Sequence, residues 1–345
     1  MTFFAGQIAL HEMATGAVPV RIRDEKPSTS GSSIGLTNRG SHMQRILTFT
    51  ALAVLASCAP RPANDSEATN QTQTDGTTSV EPFKVGTFEI QGTPTVGIVL
   101  RDALIVDLEE ANTALETDRA YAEIAMPDEM LGLISRYDDE LKPRLYEIVN
   151  NVVGNDLLGA DYVHRVEDVG ILPPIMYPSK NMNAAVNFYT HACEGCTPEQ
   201  LAERTRERQE NRGVPYLFLK PTRGAVIGSG DDIVMPYGRD RIEWEVELAI
   251  VFGREGKYIS ASRAYDHVFG YMVAMDVSDR GGRPPGGYGS GQDWFVGKGH
   301  DTFAPQGPWI VPKEFYGDPM ERLHQSLVID GVTVQEARAG DMIHN

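Results

Sequence analysis

Residues 241–252 read Arg-Ile-Glu-Trp-Glu-Val-Glu-Leu-Ala-Ile-Val-Phe, and this stretch constrains the chain's folding more than any other. In an extended strand successive side chains point to opposite faces. Ile242, Trp244, Val246, Leu248 and Ile250 therefore share one face, predicted to turn to the core, while Glu243, Glu245 and Glu247 share the other. Carboxylates at successive same-face positions repel one another, and the conflict eases if they face open water or if a cation sits among them. An all-oxygen set of this kind suits Mg²⁺, Mn²⁺ or Ca²⁺ better than zinc, which favours His and Cys ligands. A wet glutamate face and a metal site are both open readings of the pattern by itself.

A second acidic signal lies downstream. Residues 269–275 are apolar and strand-like, and they end on Asp276, followed by a polar turn to Arg280. An aspartate emerging from a buried strand is costly unless it is paired. Upstream, His191 and Glu194 are three residues apart, so on a helical turn they share a face and can hydrogen-bond. A carboxylate partner orients the imidazole and stabilises its protonated form, which is what a general base near neutral pH requires; a surface ion pair is the bland alternative. Cys193 and Cys196 flank Glu194. Further ligands at zinc spacing are missing, and so is the strand-to-helix setting of a thioredoxin-type site, which leaves a local disulfide in an exported protein or two free thiols.

Taken together these motifs resemble the fumarylacetoacetate hydrolase family. The family carries a Glu-x-Glu strand, matched at Glu245 and Glu247, and after a Gly-Tyr strand an Asp-Val-Ser-x-Arg turn, matched at 276–280. Residues 216–221 (Tyr-Leu-Phe-Leu-Lys-Pro), 227–236 and 294–309 look like the segments that surround its pocket, and residues 186–194 are similar to its Asn-Tyr-x-x-His-x-x-Glu segment. Residues 83–108 resemble its small N-terminal domain. The resemblance implies an α+β, β-rich fold. Its catalytic domain, a mixed β-sheet and β-roll, would span residues 171–345 and follow a small α+β subdomain at 82–170. It also implies Glu245, Glu247 and Asp276 as ligands of Mg²⁺ (or Mn²⁺ or Ca²⁺), His191, Glu194 and Lys298 as catalytic groups, and Arg280, Lys220 and Tyr189 as substrate-binding residues. The expected activity is metal-dependent hydrolysis of a C–C bond in a β-diketo or oxo acid of the fumarylacetoacetate or acylpyruvate type, performed by a homodimer on a small-molecule oxo acid. The same resemblance admits isomerases, decarboxylases and hydratases.

Two departures bear on this. Where the family often has Asp-Leu-Gln or Asp-Val-Gln after the arginine, this chain has Gly281-Gly282-Arg283-Pro284-Pro285. The family's catalytic domain also continues through a Pro-Gly-Asp turn and a Thr-Gly-Thr-Pro segment, whereas this sequence stops at Asn345, which suggests a truncated domain. A tethered lipoprotein that binds a ligand or metal without turnover is therefore the rival expectation.

The first 81 residues read as addressing and tether. Residues 1–42 lack clear periodicity and are set aside as a disordered or mis-assigned leader, with Gly40-Ser41-His42-Met43 resembling a cloning scar. Residues 43–58 combine a basic start, a compact apolar run and Leu-Ala-Ser-Cys, which looks like a bacterial lipoprotein signal with Cys58 as the lipidated residue. Residues 59–81, polar and proline-containing, read as a flexible linker. The expected location is the periplasm or cell envelope, held by a lipid anchor at Cys58; without that signal it would be cytoplasmic. Acidic residues outnumber basic ones, 48 against 31, and the formal charge of -17 opposes nucleic-acid binding.

Overall fold

The computed structural model describes residues 6–10, 14–24, 80–281 and 293–344. The lipoprotein-like segment with Cys58, nearly all of the linker and the glycine-rich loop at 282–292 lie outside the described residues.

The chain is a mixed α+β protein dominated by open sheets. Its largest sheet runs in the order Val246–Phe252, Val268–Met275, Ala304–Pro312, Lys84–Ile90, Thr93–Leu100, Leu104–Asp107 and Val163–Arg165, with two short strands added at Val226–Ile227 and Gly170–Ile171. Strands from both sides of the expected 170/171 boundary thus share one sheet, joined where Val85 meets Ile310. A second sheet orders Asp232–Met235, Ala14–Asp24, Gly6–Leu10, His324–Ile329 and Val332–Arg338. The segment set aside in the sequence reading therefore supplies two strands, which its irregular apolar spacing did not announce.

Local chemistry explains most of these elements. Lys84–Ile90 and Thr93–Leu100 pair with Ile90 opposite Thr93, which leaves a two-residue turn. Both turn residues, Gln91 and Gly92, have positive φ, 51° and 81°, the combination that matches the twist of a tight hairpin. Helix Leu108–Glu116 starts where the Asp107 carboxylate accepts the Glu110 N–H at 3.0 Å, and its first turn carries Glu109 and Glu110, favourable at the positive end of the helix dipole. Helix Pro198–Glu210 begins with a reciprocal cap between Thr197 and Gln200 and a proline in its first turn. The helix-spaced segment predicted at 127–153 forms helix Met130–Arg136, a wide turn at Tyr137–Leu141 and helix Lys142–Gly154.

These helices cover one face of the large sheet. Phe83, Ile98, Leu100, Leu133, Leu141 and Leu145 are almost wholly buried between them, and Tyr137 meets Phe269 edge-on at 4.9 Å. Each such side chain contributes about 1.5–3 kcal/mol by leaving water. A second cluster, including Val246, Val273, Met275, Val277, Phe303 and Leu327, packs where the two sheets approach the carboxylate strand. Gly270 is required where strands 268–275 and 304–312 meet, because a Cβ there would lie 2.3 Å from the Val311 carbonyl oxygen. Among the described residues no helix is long and apolar enough to cross a membrane.

Candidate active site

The carboxylate strand pairs antiparallel with strand Val268–Met275, Val246 opposite Met275 and Glu247 opposite Ala274. The same register continues beyond that ladder: the Asp276 N–H donates to the Glu245 carbonyl at 2.8 Å, and Ile242–Glu243 pairs with Ser278–Asp279. Opposed residues in such a ladder share a face. Glu243, Glu245 and Glu247 consequently stand beside Asp276, Ser278 and Arg280, which alternate along the neighbouring strand. The small Ala274 opposite Glu247 leaves that carboxylate room.

The apolar face behaves differently from expectation. Val246 is buried, but Trp244, Ile250 and Phe252 are exposed, and beyond Glu247 it is Ala249 and Val251 that pack into the main core. The reason is position: this strand lies at the edge of the sheet, with the helical layer on the side to which Ala249 and Val251 point.

Two lysines and an arginine neutralise the acidic face. Helix Trp294–Lys298 begins where Asp293 accepts the Phe295 N–H at 3.0 Å, and it ends on Lys298. The Lys298 ammonium donates to Asp276 Oδ2 at 2.5 Å, Ser278 Oγ at 2.5 Å and Glu245 Oε2 at 2.9 Å. From the strand Leu217–Lys220, Lys220 donates to Asp276 Oδ1 at 2.5 Å and to the Val277 carbonyl at 2.8 Å. Arg280 donates to Glu243 at 2.9 Å and also pairs with Glu245. Ser278 Oγ donates to Glu245 Oε1 at 3.0 Å.

Negative charge still exceeds what these groups absorb. Burial, then the neighbouring Asp276 and Glu245, push the Glu247 carboxyl up to about 8. Burial and Asp276 raise Glu245 as well, against the pull of Lys298 and Arg280. Burial lowers Lys220, a shift that Asp276 opposes.

His191 lines the same cleft, on a short turn at His191–Cys193, with Nδ1 2.5 Å from Glu194 Oε1. Cys193 and Cys196 are joined as a disulfide, which closes a small loop around Glu194.

Residues 182–345, just under half of the chain, match the family model of the fumarylacetoacetate (FAA) hydrolase C-terminal domain. This segment is therefore similar to a fumarylacetoacetate hydrolase C-terminal domain. It is 34% identical over 179 residues to oxaloacetate tautomerase FAHD2A, mitochondrial, of Bos taurus, covering 51% of each chain. It is 36% identical over 172 residues to 2,4-didehydro-3-deoxy-L-rhamnonate hydrolase of Sphingomonas sp. (strain SKA58), covering 50% of this chain and 54% of that protein. The match spans about half the length of these curated relatives. A solved maleylpyruvate hydrolase from Sphingobium sp. SYK-6, in complex with manganese (II) ion and pyruvate, superposes with a TM-score of 0.51 at 26% identity over 75% of this chain and 78% of that one.

Within this matched segment the cleft brings together Glu245, Glu247, Asp276, Arg280, Lys298 and His191. Three of the expected site residues do not line it. Glu194 reaches it only through His191, Lys220 is buried behind Asp276, and Tyr189 is 7% exposed and turned inward. Phe188, next in sequence, faces the cleft in place of Tyr189. The sequence reading also missed Asn187, Phe218 and Trp294. Two spacings could have found the aromatics: Phe218 shares a strand face with Lys220, and Trp294 is four residues before Lys298 on a helix.

A divalent cation fits the donor chemistry here. Among the described residues no three acidic, histidine or cysteine side chains converge on one point as they stand, because the lysine ammonium groups lie against Asp276 and Glu245. Yet Glu245 and Asp276 both reach the single Lys298 ammonium, and Glu247 shares their face, its carboxyl pushed up by burial and then by both neighbours. An oxygen-only set with surplus negative charge is what a hard cation requires.

Proposed function

We propose that the cleft catalyses hydrolysis of a C–C bond in a small oxo acid of the acylpyruvate type, assisted by a divalent cation. The observation that carries this reading is the contact of one lysine, Lys298, with both Glu245 and Asp276, in a cleft that His191 also lines. Glu245, Glu247 and Asp276 would hold the cation, which when bound supplies Lewis acidity at the substrate's carbonyl oxygens.

The chain's own residues then have the following roles. Arg280 and Lys298 complement the anionic substrate. His191, held through Nδ1 by Glu194, takes a proton from water at its other ring nitrogen, and the hydroxide adds to the acyl carbonyl. The C–C bond breaks toward the pyruvate side, where the Lys298 ammonium stabilises the departing enolate. His191 returns its proton to the enolate carbon. Water and acylpyruvate thus give a carboxylic acid and pyruvate, and the imidazole is restored.

A second reading, enol–keto tautomerisation, is favoured by the likeness to oxaloacetate tautomerase. It needs only the proton transfer by His191 and no water addition. The same proposal includes a homodimer, supported by the outward apolar residues Trp244, Ile250 and Phe252, and a lipid-anchored envelope location, supported by the Leu-Ala-Ser-Cys pattern at 55–58.

The test is an assay of pyruvate release from acylpyruvates with Mn²⁺ or Mg²⁺, run beside oxaloacetate tautomerisation. Metal-dependent pyruvate release that is lost in Asp276→Asn supports hydrolysis. Tautomerisation alone supports the second reading, and turnover that survives chelation contradicts both.

A further inference from the structure

The cleft lining combines ionisable side chains with four apolar ones, Val186, Phe188, Phe218 and Trp294. Phe218 and Trp294 lie with ring centroids 5.0 Å apart and planes tilted by 39°, and Tyr216 extends the cluster at 5.5 Å from Trp294. Trp294 and Lys298, four residues apart on one short helix, fall on the same helical face, and the Lys298 ammonium sits 5.2 Å above the Phe218 ring. The charged head site and the aromatic wall are therefore fixed to one another by a single helix turn. Phe218 and Trp294 are only half-buried, so part of each side chain remains accessible.

We propose that this aromatic wall is a subsite for an apolar, planar tail on the oxo acid, so that the preferred substrate bears an aryl or extended alkyl acyl group. The inference rests on the oxo-acid reading above. Trp294 and Tyr216, on the side of the cluster away from the Lys298 ammonium, offer an entering tail aromatic surface and no formal charge. Removing water from a carboxylate without pairing it is costly, whereas a ring stacked on Trp294 gains both apolar burial and an offset aromatic contact. The geometry favours oxo acids with an apolar, planar tail.

The experiment compares two probes that differ by one ring, phenylpyruvate and pyruvate, titrated calorimetrically into the full chain with Mn²⁺ present. Wild type is expected to bind phenylpyruvate at least about tenfold more tightly. Trp294→Ala should abolish most of that preference while leaving pyruvate affinity nearly as it was. Trp294→Phe, which keeps a ring and guards against a folding defect, should retain it. Equal affinity of wild type for the two probes, or an equal loss for both in Trp294→Ala, overturns the subsite. If the ring preference is found and no acylpyruvate is cleaved, the subsite stands and the proposed reaction fails.

Discussion

Gln335 grips the backbone of Val246 with both ends of its carboxamide: Oε1 accepts the Val246 N–H at 2.8 Å, and Nε2 donates to the Val246 carbonyl at 3.0 Å. Gln325, almost fully buried, donates to the same carbonyl at 3.0 Å. Val246 is the residue between Glu245 and Glu247, at the outer edge of the sheet, where its own backbone groups would otherwise lack a strand partner. Two side chains from the adjoining sheet thus fix the spacing and direction of the two carboxylates.

Replacing Gln335 by Leu should therefore loosen the site without touching a ligand. Two hydrogen bonds to buried backbone groups are lost, at a cost of about 1–3 kcal/mol. Groups that orient ligands typically matter about 10–100-fold in metal affinity. Mn²⁺ titration of Gln335→Leu should show a drop of that size, together with a lower Tm; unchanged affinity would mean that the grip does not position the carboxylates.

Glu247 makes the site pH-sensitive. Its folded-state value of about 8 lies above the ordinary carboxylate value of 4.5, so in metal-free protein folding takes up a proton between those limits. The stability this contributes is complete below about 4.5 and is lost as pH rises through about 8. Metal binding runs the other way, since the proton must leave first. Affinity for Mn²⁺ should climb toward pH 8 and level off above it, and Glu247→Gln should flatten the climb while weakening binding.

His191 and Glu194 should separate by kinetics. His191→Gln is expected to lower kcat by about 10²–10⁴, the usual weight of a general base. Glu194→Gln keeps a hydrogen-bonding group beside the imidazole while removing the carboxylate that orients it, so it should lower kcat less. Mn²⁺ affinity should be unaffected in both, because neither side chain belongs to the carboxylate face.

The disulfide between Cys193 and Cys196 closes a loop with a sequence separation of 3. In the chain-entropy account so short a closure is worth about 2 kcal/mol at most. The double variant Cys193→Ala, Cys196→Ala should lose only a few degrees of Tm, with any larger effect appearing in kcat through the His191–Glu194 turn. A collapse of the fold would show that the bridge does more than order this loop.

Much of the site was legible because strand alternation is a strict rule. Glu243, Glu245 and Glu247 share a face in the sequence and in the structure, and Asp276 and Arg280 fall beside them because the strand register continues past Trp244. What the sequence hid was contact made at long separation. Nothing near Gln335 in the chain marks it as the partner of Val246, and Lys220 reads as a substrate ligand until its ammonium is seen against Asp276 and the Val277 carbonyl. Trp244 and Ile250 were expected in the core on pattern alone, but the pattern does not say that this strand is the last in its sheet. The strands at Gly6–Leu10 and Ala14–Asp24 pair with residues more than two hundred positions away, a distance over which local periodicity carries no information.

Everything proposed for catalysis depends on Glu245, Glu247 and Asp276 holding one cation. The most direct measurement is anomalous diffraction from crystals of the protein soaked in Mn²⁺. A single strong peak is expected within roughly 2.0–2.6 Å of oxygens from all three carboxylates, with the Lys298 ammonium displaced from between Glu245 and Asp276. A cleft in which Lys298 still bridges those two carboxylates at saturating Mn²⁺, with no peak beside them, would contradict it.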